Sequence, residues 1–256
     1  MMSTSEGHPP PLPQQFLLTD KVAIVTGASK GIGAGIAVGL AEAGADVAIV
    51  ARTRTDLDQV AEQIRRRGRR ALVLPADMND LGMLPDLVES VVATFGGLDV
   101  VVNNAGGSQS FPFLATTIEN LEASFHFNVS ATFELSRLAV PHLLRRGGGS
   151  IINISSVAGS RTTRGGLTHG TIKAAISHLT RMMAMDLAPR VRVNAVLPGA
   201  IETDALRRYL DVQSDDSRKV MVERTPMRRN GVAYGHRSSS AVFGFAGRVL
   251  GYGKAA

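Results

Sequence analysis

The chain has 256 residues, 44% hydrophobic and 20% charged, with a formal net charge of +6 from 28 Lys and Arg against 22 Asp and Glu. That balance suits an ordinary globular protein and excludes wholesale disorder, and no apolar run reaches the roughly 18 residues of a membrane span. Cysteine is absent, which excludes disulfides, iron–sulfur clusters and thiolate metal sites and fits a reducing compartment, so a cytoplasmic location is expected.

The first 16 residues are polar and rich in proline (Pro9, Pro10, Pro11, Pro13), with no basic stretch followed by an apolar one. A solvated tail is expected there, not a secretory signal. From Asp20 onward, short apolar runs alternate with longer helical patterns. The runs predict strands at 22–25, 47–50, 71–74, 100–102, 151–154 and 191–196. Helices are predicted at 32–43, 57–67, 84–95, 118–144 and 170–187. Gly44 and Gly68 suit helix ends, Pro85 suits a first turn, and Pro141 should bend or end the long helix. The basic cluster Arg65, Arg66, Arg67, Arg69 and Arg70 sits at a helix end, where cations are favourable. No aromatic residues interleave with it, so no nucleic-acid partner is expected.

Strands apolar on both faces and separated by helices predict a buried parallel sheet. With right-handed crossovers, this gives an α/β fold with a single doubly wound, Rossmann-like sheet, expected over residues 17–231. In such a sheet the ligand crevice lies outside the carboxyl ends of the strands, and polar residues recur there. After the first strand stands Thr26-Gly27-Ala28-Ser29-Lys30-Gly31-Ile32-Gly33. Its glycines let backbone N–H groups approach a pyrophosphate at a helix N-terminus. The second strand is followed by Arg52, with no acidic residue before Asp56. Lys30 and Arg52 are therefore expected to converge on the 2′-phosphate of NADP, in preference to NAD. Asp77 either caps a helix or bonds the adenine amine. Asn103, Asn104, Ala105 and Gly106 follow the fourth strand, and Ser155 and Ser156 the fifth. Lys173 lies on the next helix, and Pro198, Gly199, Ile201 and Thr203 follow the sixth strand. His126 and His178 lie on helical segments with no metal-ligand spacing, and no metal is expected.

On these residues the chain resembles the short-chain dehydrogenase/reductase family. The motifs are TGASKGIG at 26–33, NNAG at 103–106, INISS at 152–156, the region of Lys173 and RVNAVLPGAIETDAL at 192–206. Together they span about Asp20 to Asn230. The stretches around 104–107 and 173–187 resemble bacterial hydroxysteroid dehydrogenases, and similar ones occur in 3-oxoacyl-carrier-protein reductases. The resemblance implies that Gly27, Gly31 and Gly33 cradle the pyrophosphate, with Ser29 and Ile32 beside them. Asn104, Ala105 and Gly106 would lie against the cofactor, and Pro198, Gly199, Ile201 and Thr203 near the nicotinamide. Ser156 would hold the substrate oxygen, Lys173 the nicotinamide ribose, and Asn128 a proton-relay water. The implied assembly is a homodimer through the helices at 118–144 and 170–187, without a firm expectation of a tetramer.

The family pattern breaks at two places. Four residues before the lysine, where the family has tyrosine, stands His169, and its spacing from Ser156 is kept. The stretch 232–256 (VAYGHRSSSAVFGFAGRVLGYGKAA) departs from the family's usual helix, strand and Gly-Gly ending. It leaves the last sheet strand and helix, one side of the substrate cleft and one common subunit contact without support in the sequence. At His169, a nearby ammonium disfavours imidazolium, so a mostly neutral ring is expected at neutral pH. A neutral ring is a serviceable base for alcohol oxidation and a poor acid for ketone reduction. The functional expectation is an NADP(H)-dependent oxidoreductase acting between a secondary alcohol and a ketone, with His169 in the tyrosine position. The alternative is a catalytically impaired dinucleotide-binding homologue that serves as a sensor or partner subunit.

Overall fold

The computed structural model describes residues 17–109, 111–204, 206–207 and 215–233. The first half runs β1 (Val22–Thr26), α1 (Gly31–Glu42), β2 (Asp46–Ala51), α2 (Arg54–Arg65), β3 (Ala71–Pro75), α3 (Leu84–Phe95) and β4 (Val100–Asn103). Then come α4 (Ile118–Phe125), a π-helical turn (His126–Ser130), α5 (Ala131–Arg145), β5 (Gly149–Ile154), α6 (Leu167–Leu187) and β6 (Val191–Val196). Beyond β6 lie β7 (Ile201–Glu202), α7 (Asp215–Arg224) and β8 (Gly231–Val232). The expected tail at 1–16 falls outside the described residues; of the atypical tail expected at 232–256, only Val232, paired with Glu202, and Ala233 are described.

The six longer strands pair in parallel in the order β3-β2-β1-β4-β5-β6. Their alternation divides the core between two faces. Ala23, Val25, Val47 and Ile49 point toward α1 and α2, where Ile36, Leu40, Leu57, Val60 and Ile64 cover them. Ile24, Ala48, Val50, Val101 and Ile151 meet Leu84, Val88 and Val91 of α3 and Leu135, Ala139 and Leu143 of α5. The sheet is thus sandwiched between helical layers, which is why its strands lack a polar face. Among the described residues no helix is long and apolar enough to cross a membrane. Strand order reverses at β1 and β4, so the loops leaving these two strands flank the crevice.

Most boundaries fall within about three residues of the sequence reading, and three features of the helices stand out. The long helix is interrupted at His126–Ser130 by a wide turn that points Asn128 inward, 1% exposed. Pro141 sits within α5 without ending it. Ala139 and Leu143, on either side of it, are fully buried against the sheet, and that packing outweighs one missing hydrogen bond. Finally, α6 begins at Leu167, so His169 and Gly170 are helical. Gly165 at φ +76° turns the chain into that helix.

Candidate active site

The loop after β1 is built for close approach. Thr26 Oγ1, 1% exposed, accepts hydrogen bonds from the N–H groups of Asn104 and Ala105, each at 3.0 Å, and donates to Val102 O at 3.3 Å. One hydroxyl thereby pins the β1 loop to the β4 loop. Asn104 Nδ2 donates to Thr26 O and Gly27 O at 2.9 and 3.1 Å. A Cβ on Gly33 would lie 2.2 Å from Gly27 O and 2.4 Å from Asn104 Nδ2, so only glycine lets α1 start this close to the strand. Gly31 takes φ +56°, and a Cβ there would come within 3.0 Å of Thr203 Cγ2. Gly27, Gly31, Gly33, Asn104, Ala105 and Thr203 are therefore brought together. Helix α1 has no acidic residue in its first turn and no side-chain cap from Lys30. The N–H groups of its first turn are left to an outside acceptor, and this fits a dinucleotide pyrophosphate.

The flanking residues are placed less simply. Lys30 and Arg52 are both exposed at this edge of the sheet. Lys30 Nζ is paired with Asp56 at 3.1 Å, while Arg52 has no ion pair or hydrogen bond among the described residues. Asp77 does not cap a helix. Its Oδ1 accepts from the backbone N–H and side-chain Nδ2 of Asn79, at 3.0 and 3.1 Å, and Asp80 does the capping through Gly82 N. The competing Asn79 two residues on captures the Asp77 carboxylate in a local turn.

At the centre lies Lys173, 7% exposed, with Nζ donating to Ile154 O at 3.0 Å. Burial pulls its pKa down to about 8. Gly159 lets the segment after Ser156 press onto α6, since a Cβ there would sit 2.7 Å from Lys173 C. Ser155 Oγ donates to Lys173 O at 2.8 Å, so the end of β5 holds this lysine at both its ends. A Cβ on Gly106 would lie 2.7 Å from Asn128 Oδ1 and 3.4 Å from Lys173 Nζ, which puts these three residues in one cluster. Asn128 grips the loop itself: Nδ2 donates to Gly107 O and Ser124 O, both at 2.8 Å, and Oδ1 accepts from Gly107 N at 3.0 Å. Ser156 Oγ accepts from Ala158 N at 3.2 Å, which leaves its own proton to give. Pro198 O accepts from Val157 N at 3.1 Å, so the segment after β6 runs beside Ser156. Gly199 faces open space, and Ile201 lies in β7. Ser29, in the loop before α1, and Ile32, in its first turn, are half-buried.

His169 lies one turn before Lys173 on α6. Burial and, behind it, the Lys173 charge hold its pKa below the ordinary histidine value. Its Nδ1 is 3.1 Å from Ser108 Oγ. No hydrogen bond joins His169 to Ser156 among the described residues.

A family model described as short chain dehydrogenase matches residues 21–213. The chain belongs to the short-chain dehydrogenase family. Among this dehydrogenase's relatives is an uncharacterized oxidoreductase of Mycobacterium tuberculosis, 48% identical over 217 residues that cover 84% of this chain and 82% of the relative. A 7alpha-hydroxysteroid dehydrogenase solved with NADH and 7-oxo glycochenodeoxycholic acid superposes with a TM-score of 0.81 at 35% identity, covering 86% of this chain and 85% of that one. A short chain dehydrogenase of Burkholderia cenocepacia J2315 solved with NADP gives a TM-score of 0.76 at 35% identity, covering 84% and 86%.

Within this short-chain dehydrogenase, sequence reasoning missed Ser108 and the joining role of Thr26 and Ser155. Thr26 and Ser155 stand within the strand-end motifs at 26–33 and 152–156, so their position was a usable signal. Ser108 carries none: it is one of two serines in the loop after β4, and its partner lies 61 residues away.

Proposed function

We propose that this dehydrogenase is an NADP(H)-dependent oxidoreductase that interconverts a secondary alcohol and a ketone, with residues 17–231 forming one unit for binding and chemistry. The observation that carries the reading is the buried ammonium of Lys173, fixed to β5 between the Asn128-held loop and His169. Burying a charge is costly unless the site uses it. When bound, the nicotinamide supplies or accepts the hydride. The first turn of α1, with Gly27, Ser29, Gly31, Ile32 and Gly33, holds the pyrophosphate through backbone N–H groups. Asn104, Ala105, Gly106, Pro198, Gly199, Ile201 and Thr203 line the remaining rim. Lys173 holds the ribose beside it and supplies positive charge. Ser156 donates its free proton to the substrate oxygen, and His169 exchanges a proton with that oxygen.

The preference for NADP(H) rests on Arg52 and Lys30 at the end of β2, with Lys30 exchanging its Asp56 partner for a phosphate. Asp77 retains Oδ2 for the adenine amine. The substrate class is a cyclic or acyl lipid-like ketone, in line with the steroid bound by the superposed neighbour. A homodimer through α4, α5 and α6 is supported by Ile118, Phe125 and Phe133 of the first two, which stand 58%, 44% and 47% exposed.

The test is a titration of the full chain with NADPH and NADH, followed by single turnover against a ketone panel. Tighter binding of NADPH by tenfold or more is expected, the worth of about one charge-assisted hydrogen bond, together with loss of the reduced-cofactor absorbance on ketone addition. Binding without oxidation would support the impaired homologue, for which the substitution at position 169 is the motivating observation. No binding of either nucleotide would sink both readings.

A further inference from the structure

We propose that Ser108 and His169 form a proton relay in place of the tyrosine, with Asn128 as the residue that positions it; this rests on the oxidoreductase reading and deepens it. Ser108 Oγ is 3.1 Å from His169 Nδ1, and neither residue is fully exposed. That contact is the hydroxyl's one hydrogen bond among the described residues. His169 Nε2 has none and is left for a substrate oxygen. A neutral imidazole carries one proton, and the nitrogen that holds it is set by the partner of the other nitrogen. Among the described residues no other acceptor meets the Ser108 hydroxyl, so it donates into Nδ1. The ring proton then sits on Nε2.

This arrangement answers a difficulty of charge. A histidine that simply took up a proton would become imidazolium one helical turn from the Lys173 ammonium, in a half-buried site. A relay avoids that species. In ketone reduction, the carbonyl carbon receives hydride from the reduced nicotinamide, and its oxygen takes the proton of Nε2. Ser108 passes its Oγ proton to Nδ1 and takes another from water, and proton exchange with water returns the ring to its Nε2–H form before the next turnover. Oxidation runs the same protons backward from the minor Nδ1–H tautomer: the alcohol proton arrives at Nε2, Nδ1–H returns to Oγ, and a proton leaves to water. The ring stays neutral at both ends of the step.

Asn128 sets the geometry. It holds both backbone polar groups of Gly107, the residue before Ser108, at 2.8 and 3.0 Å. The wide turn at His126–Ser130 aims Asn128 at this loop.

The test uses the full chain, labelled with 15N and free of cofactor. Long-range proton–nitrogen spectra resolve the rings of its six histidines, and His169→Gln identifies the relevant one. A single tautomer protonated at Nε2 is expected. Ser108→Ala should give a mixture of tautomers, and Ser108→Thr should retain the single form. In ketone reduction with NADPH, Ser108→Ala should lower kcat by about tenfold, what one hydrogen bond supports, with KM unchanged, and Ser108→Thr should restore most of it. Turnover in wild type with an unchanged spectrum and rate in Ser108→Ala overturns the relay alone. Absence of turnover in wild type overturns the oxidoreductase reading and the relay together, even if the tautomer shifts as expected.

Discussion

At His169, burial and the neighbouring lysine act in the same direction. Both favour the neutral ring, so protonation waits until the pH has fallen below the ordinary histidine range. Alcohol oxidation needs a free lone pair on this ring. Its rate should therefore hold at neutral pH and fail only as the solution is acidified below about pH 6.5. In His169→Tyr the acceptor is a phenolate, and the corresponding limb should move above pH 7. A kcat/KM profile of both proteins checks this, and coincident profiles would exclude His169 from proton transfer. Lys173 gives the complementary case in stability. Its folded pKa of about 8 lies below the ordinary lysine value, so the folded state disfavours its charge. The penalty is full below pH 8 and fades as the pH rises toward the unfolded value of about 10.4. Lys173→Met should therefore raise unfolding free energy at pH 7 by roughly 2 kcal/mol, after the lost bond to Ile154 O is offset. That gain should shrink on raising the pH, and activity should be abolished. Denaturant melts at pH 7 and pH 10 measure it. The placement of Lys173 and Gly33 at the strand-end rim was legible in the sequence because both lie in local motifs. Ser108 was not, because its contact with His169 exists only once the loop after β4 and the start of α6 are brought together.

Among the elements, α1 carries a sharp contrast between two glycines. Gly33 has no space for a side chain beside Gly27 O and Asn104 Nδ2, whereas Gly39 has nothing within 4 Å. Gly33→Ala should cost about 1–3 kcal/mol through overpacking and remove dinucleotide binding. Gly39→Ala should raise stability by about 0.5–1 kcal/mol through helix propensity. Thermal melts with and without NADPH separate the two, and equal effects would mean the loop yields to the added methyl. The strands and most helices were readable from apolar periodicity. The turn at His126–Ser130 was not, since one extra residue in a turn leaves local composition unchanged and is decided by the bonds Asn128 makes. The same holds for the earlier start of α6, which follows from the conformation of Gly165.

For the molecule as a whole, the sheet order follows from parallel strands, short connections and crossover handedness. Long-range ties beneath it escaped the sequence reading. Asp99, 4% exposed, receives Lys21 Nζ, Arg146 Nη2 and the N–H of Val22 at 3.0–3.2 Å, joining the starts of β1 and β4 to the end of α5. On the outer surface, α4 buries none of its residues and α5 leaves Phe133 out. If α4, α5 and α6 form the proposed homodimer, Phe133→Glu should place a charge within it and yield monomers. Light scattering on the purified protein measures this. An unchanged mass would move the subunit contact elsewhere.

The wide turn between α4 and α5 also governs how the chain tolerates changes in length. It adds one residue to a helical stack and so rotates everything downstream by about 100° relative to a regular helix. Leu135, Ala139 and Leu143 face the sheet only in that phase. Deleting a single residue between His126 and Ser130 would swing this row sideways while also withdrawing Asn128 from its loop. A shortening that most surface loops would absorb would here disturb the core and the catalytic rim at once.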